Sequence, residues 1–175
     1  MSRRRIVAGA RHHPLLAAGL SATAALGAAS GLFADRQVVV NTSPSVAPGL
    51  YVRSSDPPAV GRLVDFRVPV AARPYVLART GRDGRDWYIL KPVVAGPGDR
   101  VDSTGAWLRV NGRAVAPMPP AADAAGRPLP AWRAARVLGH GGFLVVSTRV
   151  PNSFGSRCYG PVRDITAVRV PLVTW

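Results

Sequence analysis

One lysine, Lys91, stands among 23 basic residues, the other 22 being arginine. It sits in Trp87-Tyr-Ile-Leu-Lys91-Pro-Val-Val-Ala95, about the most apolar context in the body of the chain. A lysine amine ordinarily holds its proton to about pH 10.4, and burial lowers that value because the ammonium form loses its hydration. An amine neutral near pH 7 can take the proton of a serine hydroxyl, and the pair can carry out acyl transfer. Arginine cannot substitute, since its guanidinium stays charged at working pH. The bland alternative is a snorkelling lysine with its stem on apolar neighbours and its amine in water.

Other chemistries lack residues. His12 and His13 lie near the N-terminus, so a Ser–His–Asp arrangement would have to use His140, set in Gly139-His140-Gly141-Gly142. A metallopeptidase needs several His or carboxylate ligands, and these are missing. The single cysteine, Cys158, excludes an internal disulfide and a cysteine-based zinc site. There is no P-loop and no dinucleotide fingerprint, so no metal or cofactor is expected.

The elements that must position these groups read as short strands. All nine acidic residues are Asp, and with no Glu and one Lys the chain is poor in helix formers; 18 Gly and 17 Pro add breakers. Strands are expected over 37–41, 49–53, 63–68, 87–95, 107–110, 113–116, 142–147 and 165–170. Asn111-Gly112 predicts a two-residue hairpin turn, and Gly96-Pro-Gly98-Asp99 a tight turn. Residues 70–79 suit a short helix that Pro74 weakens. Residues 117–130 read as a loop. The fold class is mostly β, in one domain over 37–175.

Ahead of that domain, residues 14–34 carry no charge and follow Arg3, Arg4, Arg5 and Arg11. The stretch is long enough to span a bilayer, with a basic tail over 1–13 on the cytoplasmic side. A cleaved signal peptide is the rival reading, small residues near Ala29 and Ala34 offering a cut. The formal net charge of +14 admits nucleic-acid binding, but the charges are scattered. A membrane anchor would also put the basic body across the bilayer from cytoplasmic DNA, so no nucleic-acid partner is expected.

Four segments resemble the serine–lysine signal peptidases in their order along the chain. Asn41-Thr-Ser43-Pro-Ser45-Val-Ala-Pro48-Gly49-Leu50-Tyr51 resembles the nucleophile box, and its Gly-Leu-Tyr ending the conjugal-transfer (TraF-type) peptidases. Residues 60–66 resemble the following strand, with Arg62 where an acid is common. Lys91-Pro-Val-Val-Ala-Gly96-Pro-Gly98-Asp99-Arg100-Val101 resembles the lysine box, and residues 153–162 the C-terminal box.

The resemblance implies a signal-peptidase-like β domain behind one transmembrane helix. It matches Ser45 to the nucleophile and Lys91 to the general base. The Ser45 amide and Ser43 hydroxyl match the oxyanion hole, and Ser153 a serine that orients the lysine. Arg157 matches a buried arginine that usually pairs with an Asp two residues earlier; that position is Gly155, and Asp164 or another acid could replace it. Gly98 and Asp99 read as structural support rather than chemistry.

The implied activity is serine endopeptidase cleavage of membrane-tethered preproteins, by resemblance a conjugative pilin precursor, with possible cyclisation of the product. The implied location is the inner membrane with the domain facing the periplasm, among inner-membrane lipid and other conjugation proteins. A general signal peptidase and a non-catalytic periplasmic scaffold are the alternatives.

Overall fold

The computed structural model describes residues 36–123, 125–151 and 153–175. The expected basic tail and membrane segment, residues 1–13 and 14–34, lie outside them. Among the described residues no helix is long and apolar enough to cross a membrane.

Among the described residues ten strands form two antiparallel sheets. In chain order they are β1 Val38–Asn41, β2 Gly49–Ser54, β3 Leu63–Arg67, β4 Tyr88–Ala95, β5 Arg100–Asp102, β6 Trp107–Val110, β7 Arg113–Pro117, β8 Ala135–Val137, β9 Leu144–Val145 and β10 Ile165–Thr174. The six-stranded sheet runs β1-β2-β10-β3-β4-β9 and the four-stranded sheet β7-β6-β5-β8. Residues Val38–Trp175 make one compact unit.

Strand β4 shows how pattern becomes position. Alternate residues of a strand face opposite sides, and in β4 the buried set is Lys91, Val93 and Ala95. Lys91 therefore occupies a place the pleat reserves for an apolar side chain. Val64 of β3 lies beside it in register. Val64, Val93, Val145 and Val168 belong to one apolar cluster; Ala95, Val101, Leu108 and Leu144 belong to a second.

The Gly96–Asp99 turn carries the chain from the first sheet to the second. Gly98 takes φ +89°, open to glycine without cost. Asp99 accepts the Gly96 N–H at 2.8 Å and the Asn111 side-chain amide at 2.8 Å. Asn111 and Gly112 both have positive φ, as the hairpin turn requires. Asp99 thus ties the turn after the lysine strand to the hairpin between β6 and β7.

The expected helix is a 3-10 turn, Val70–Ala72, followed by α1, Arg73–Thr80. Pro74 falls in the first helical turn, where its missing N–H would have had no intrahelical acceptor. A second helix, α2 (Ser156–Tyr159), is one turn long. Strand β10 runs four residues beyond expectation, through Pro171. That proline pairs only with Tyr51 of β2, because β3 begins at Leu63, opposite Arg169. Its ring thus costs no ladder bond on the open side. The 142–147 strand contracts to β9. Val146 still donates to the Pro92 carbonyl (3.1 Å), but Ser147 turns toward the β1–β2 loop.

Candidate active site

The loop between β1 and β2 carries Ser43 and Ser45. Its shape is held by Asn41, the last residue of β1. The Asn41 side-chain amide donates to the carbonyls of Ser43, Val46 and Ala47, each at 3.0 Å. Its carbonyl accepts the Ser43 N–H at 3.2 Å. Tyr51 of β2 adds a phenol that donates to the Ala47 carbonyl at 2.6 Å.

This loop brings Ser45 to the lysine strand. Lys91 Nζ donates a hydrogen bond to Ser45 Oγ, and both residues are buried, 5% and 6% exposed. Ser43 Oγ lies 2.9 Å from Ser45 Oγ, so the amine and two hydroxyls are linked through Ser45. Burial, with the Arg157 charge behind it, pushes the Lys91 amine from its ordinary 10.5 down to about 8; the nearby Cys158 thiol opposes this. The Ser45 N–H has no acceptor among the described residues. An apolar cleft of about 620 Å³ opens beside Ser45, with Leu63, Val93 and Val146 among its walls.

Ser153 is buried, but its hydroxyl makes no hydrogen bond among the described residues and does not reach the lysine amine. Its carbonyl instead accepts from Arg157 at 3.0 Å. Among the described residues no acid pairs with Arg157. Asp164 is exposed, and the Arg157 guanidinium donates to the carbonyls of Pro117 (2.6 Å), Pro151 (3.0 Å) and Ser153. Three carbonyl dipoles thus solvate a cation that is 2% exposed. A buried acid–arginine pair does exist elsewhere, between Asp65 of β3 and Arg169 of β10 at 2.8 Å. Arg62 meets Asp56 at the surface, 3.2 Å apart. Cys158 is buried, and burial pushes its thiol up. His140 is exposed on its turn.

Two groups at the site escaped the sequence reading. Asn41 had a signal, an Asx residue immediately before a Thr-Ser-Pro turn. Ser147, whose hydroxyl donates to the Ser45 carbonyl, had none, because the partners are 102 positions apart.

The arrangement is a neutralisable amine held against a hydroxyl at the mouth of an apolar cleft. The family described as "Signal peptidase, peptidase S26" matches residues 12–171. A "Plasmid transfer protein TraF" of Escherichia coli is 35% identical over 183 residues, covering 98% of this chain and 97% of its own. A second Escherichia coli protein of that name is 36% identical over 151 residues, covering 78% and 82%. The ordered boxes, the mostly-β fold and a match over most of the chain lead to one conclusion: this chain belongs to the S26 signal peptidase family.

Proposed function

We propose that the chain is a membrane-bound serine endopeptidase that processes membrane-tethered preproteins, with Ser45 as nucleophile and Lys91 as general base. The observation that carries this reading is the buried hydrogen bond between Lys91 Nζ and Ser45 Oγ. With the amine at about 8, roughly a tenth of it is neutral at pH 7. Neutral Lys91 takes the Ser45 proton as Oγ attacks the scissile carbonyl. The Ser45 N–H and the Ser43 hydroxyl then donate to the developing oxyanion, an effect worth about 3 kcal/mol per donor. Lys91 returns the proton to the leaving amine. Water, or another amine, then attacks the acyl-enzyme and releases Ser45.

The names of the two relatives favour a role in plasmid transfer, and the resemblance of the boxes to the conjugal-transfer peptidases favours a conjugative pilin precursor as substrate. The uncharged stretch at 14–34 and the arginines before it favour the inner membrane, with the domain in the periplasm. Exposed Leu172, Val173 and Trp175 at the end of β10, with Val40 of β1, suit a surface lying against lipid. The Trp175 N–H donates to the Pro48 carbonyl (3.1 Å), which puts that end of the strand next to the Ser45 loop.

The test incubates the full chain in detergent with candidate prepilins. Wild type should convert one of them to a shorter product. Ser45→Ala, Lys91→Ala and Lys91→Arg should each lose conversion while keeping the wild-type circular dichroism spectrum. Activity in Lys91→Arg would overturn the general-base role. Cleavage of many unrelated preproteins would favour a general signal peptidase, and no Ser45-dependent cleavage a scaffold.

A further inference from the structure

The cleft beside Ser45 is mostly apolar, with the hydroxyls of Ser45, Ser147 and Thr148 and one charged residue in its lining. Among the described residues that line it, Arg149 is the single charged side chain, set among Val60, Leu63, Val93, Val115 and Val146. Its place relative to the nucleophile is held by short links. The Arg149 N–H donates to Ser147 Oγ at 3.2 Å, and Ser147 Oγ donates in turn to the Ser45 carbonyl. Ser147 is buried, so this segment is anchored where it meets the nucleophile loop. The Arg149 charge also acts on the Tyr51 phenol, which is bonded to Ala47 of that same loop.

Arg149 makes no ion pair among the described residues. The acids that do pair meet other arginines: Asp56 with Arg62, Asp65 with Arg169, Asp83 with Arg85 and Asp123 with Arg127. A guanidinium offers a planar fork of donors that fits a carboxylate in bidentate fashion. Arg149 is exposed and belongs to the lining of a mostly apolar cleft, with no carboxylate paired to it among the described residues.

We propose that Arg149 binds a carboxylate of the substrate close to the scissile bond, so that the cleft selects apolar segments carrying either an acidic side chain or a free C-terminus there. The proposal rests on the peptidase reading above and names a specificity-determining residue for it.

The test uses full-length protein in detergent and internally quenched Ala/Val decapeptides. In each peptide one position near the scissile bond is Glu or Gln, and each is made as the free acid and the C-terminal amide. With wild type, kcat/KM for the carboxylate-bearing peptide should exceed that of its neutral partner by about fivefold, as expected of a solvent-exposed charge contact. The difference should lie mainly in KM. In Arg149→Ala the ratio should fall to about one, and in Arg149→Glu a Lys-bearing peptide should become the preferred one. Preference confined to Glu assigns a side-chain carboxylate, and preference confined to the free acid assigns a C-terminus. An equal, measurable rate of cleavage for both partners in wild type, or a preference that survives Arg149→Ala, overturns the proposal. A second measurement separates it from catalysis: binding of labelled, non-quenched peptides to Ser45→Ala protein by fluorescence anisotropy. Tighter binding of the carboxylate peptide supports the Arg149 site even where wild type cleaves nothing, an outcome that would sink the peptidase reading alone. Equal binding overturns the Arg149 site.

Discussion

A Cβ placed on Gly155 would lie 2.9 Å from the carbonyl oxygen of Val145. The position that the signal-peptidase resemblance reserves for an acid is therefore closed by the backbone of β9. Gly155 has φ −153°, which any residue adopts, so the obstacle is contact and not backbone strain. Gly155→Asp should lower stability by about 2 kcal/mol, the usual scale of overpacking a filled interior. Gly155→Ala should act in the same direction. Thermal melts of the detergent-solubilised chain check both. A rise in Tm for Gly155→Asp would mean that Arg157 prefers a carboxylate to its three carbonyls.

The depressed Lys91 amine sets the pH dependence of both rate and stability. In the proposed mechanism Lys91 works neutral, so kcat/KM should climb with pH and level off above about 8. For stability the sign follows from proton counts. Between about 8 and 10.5 the unfolded chain holds a proton on Lys91 that the folded chain has released. Stability from this group therefore rises with pH across that window, and its penalty is complete below about 8. Lys91→Met should remove that rise. Denaturant titrations at pH 7.5 and 9.5 make the comparison.

Arg157 contributes to the lowered Lys91 value through its charge. Arg157→Met should shift the rising limb of the rate profile to higher pH. It should also cost about 3 kcal/mol, because the carbonyls of Pro117, Pro151 and Ser153 lose their donor. Arg157→Lys keeps the charge, so the limb should stay near 8 while stability falls. A purely structural role for Arg157 predicts the same limb in both variants.

Asn41 shares its two amide hydrogens among three carbonyls of the nucleophile loop. Asn41→Ala should lose about 2 kcal/mol. It should also lower kcat more than KM, since what it disturbs is the placement of Ser45 against Lys91. Asn41→Asp keeps the acceptor and loses the donors, and should behave like Asn41→Ala. Steady-state kinetics with an equilibrium melt would separate misplacement from unfolding.

The strands carrying a period-2 pattern or a glycine–proline boundary were legible in the sequence: β1, β2, β3, β4, β6 and β7, with β9 and β10 legible in place but not in length. Three-residue β5 and β8 were not, because so short a strand is defined by its neighbour; Arg100 pairs with Val137 across 37 positions of chain. Helix α2 is a single turn between two glycines, too short for any helical period to register. At the site, Lys91 was legible because one lysine in an apolar strand contradicts its surroundings. The serines needed the family boxes, since hydroxyls before prolines are common in turns. The solvation of Arg157 by carbonyls was illegible, because carbonyls carry no letter in the sequence.

Strand β4 buries the only lysine the chain possesses. Apart from the N-terminus, that side chain is then the sole primary amine in the molecule. Reductive methylation with carbon-13 formaldehyde would install an NMR reporter at Nζ against almost no background. The titration of that amine could then be followed directly in the unmutated protein, without inference from reaction rates. The arginine-rich composition makes the chain a ready-made single-label sample.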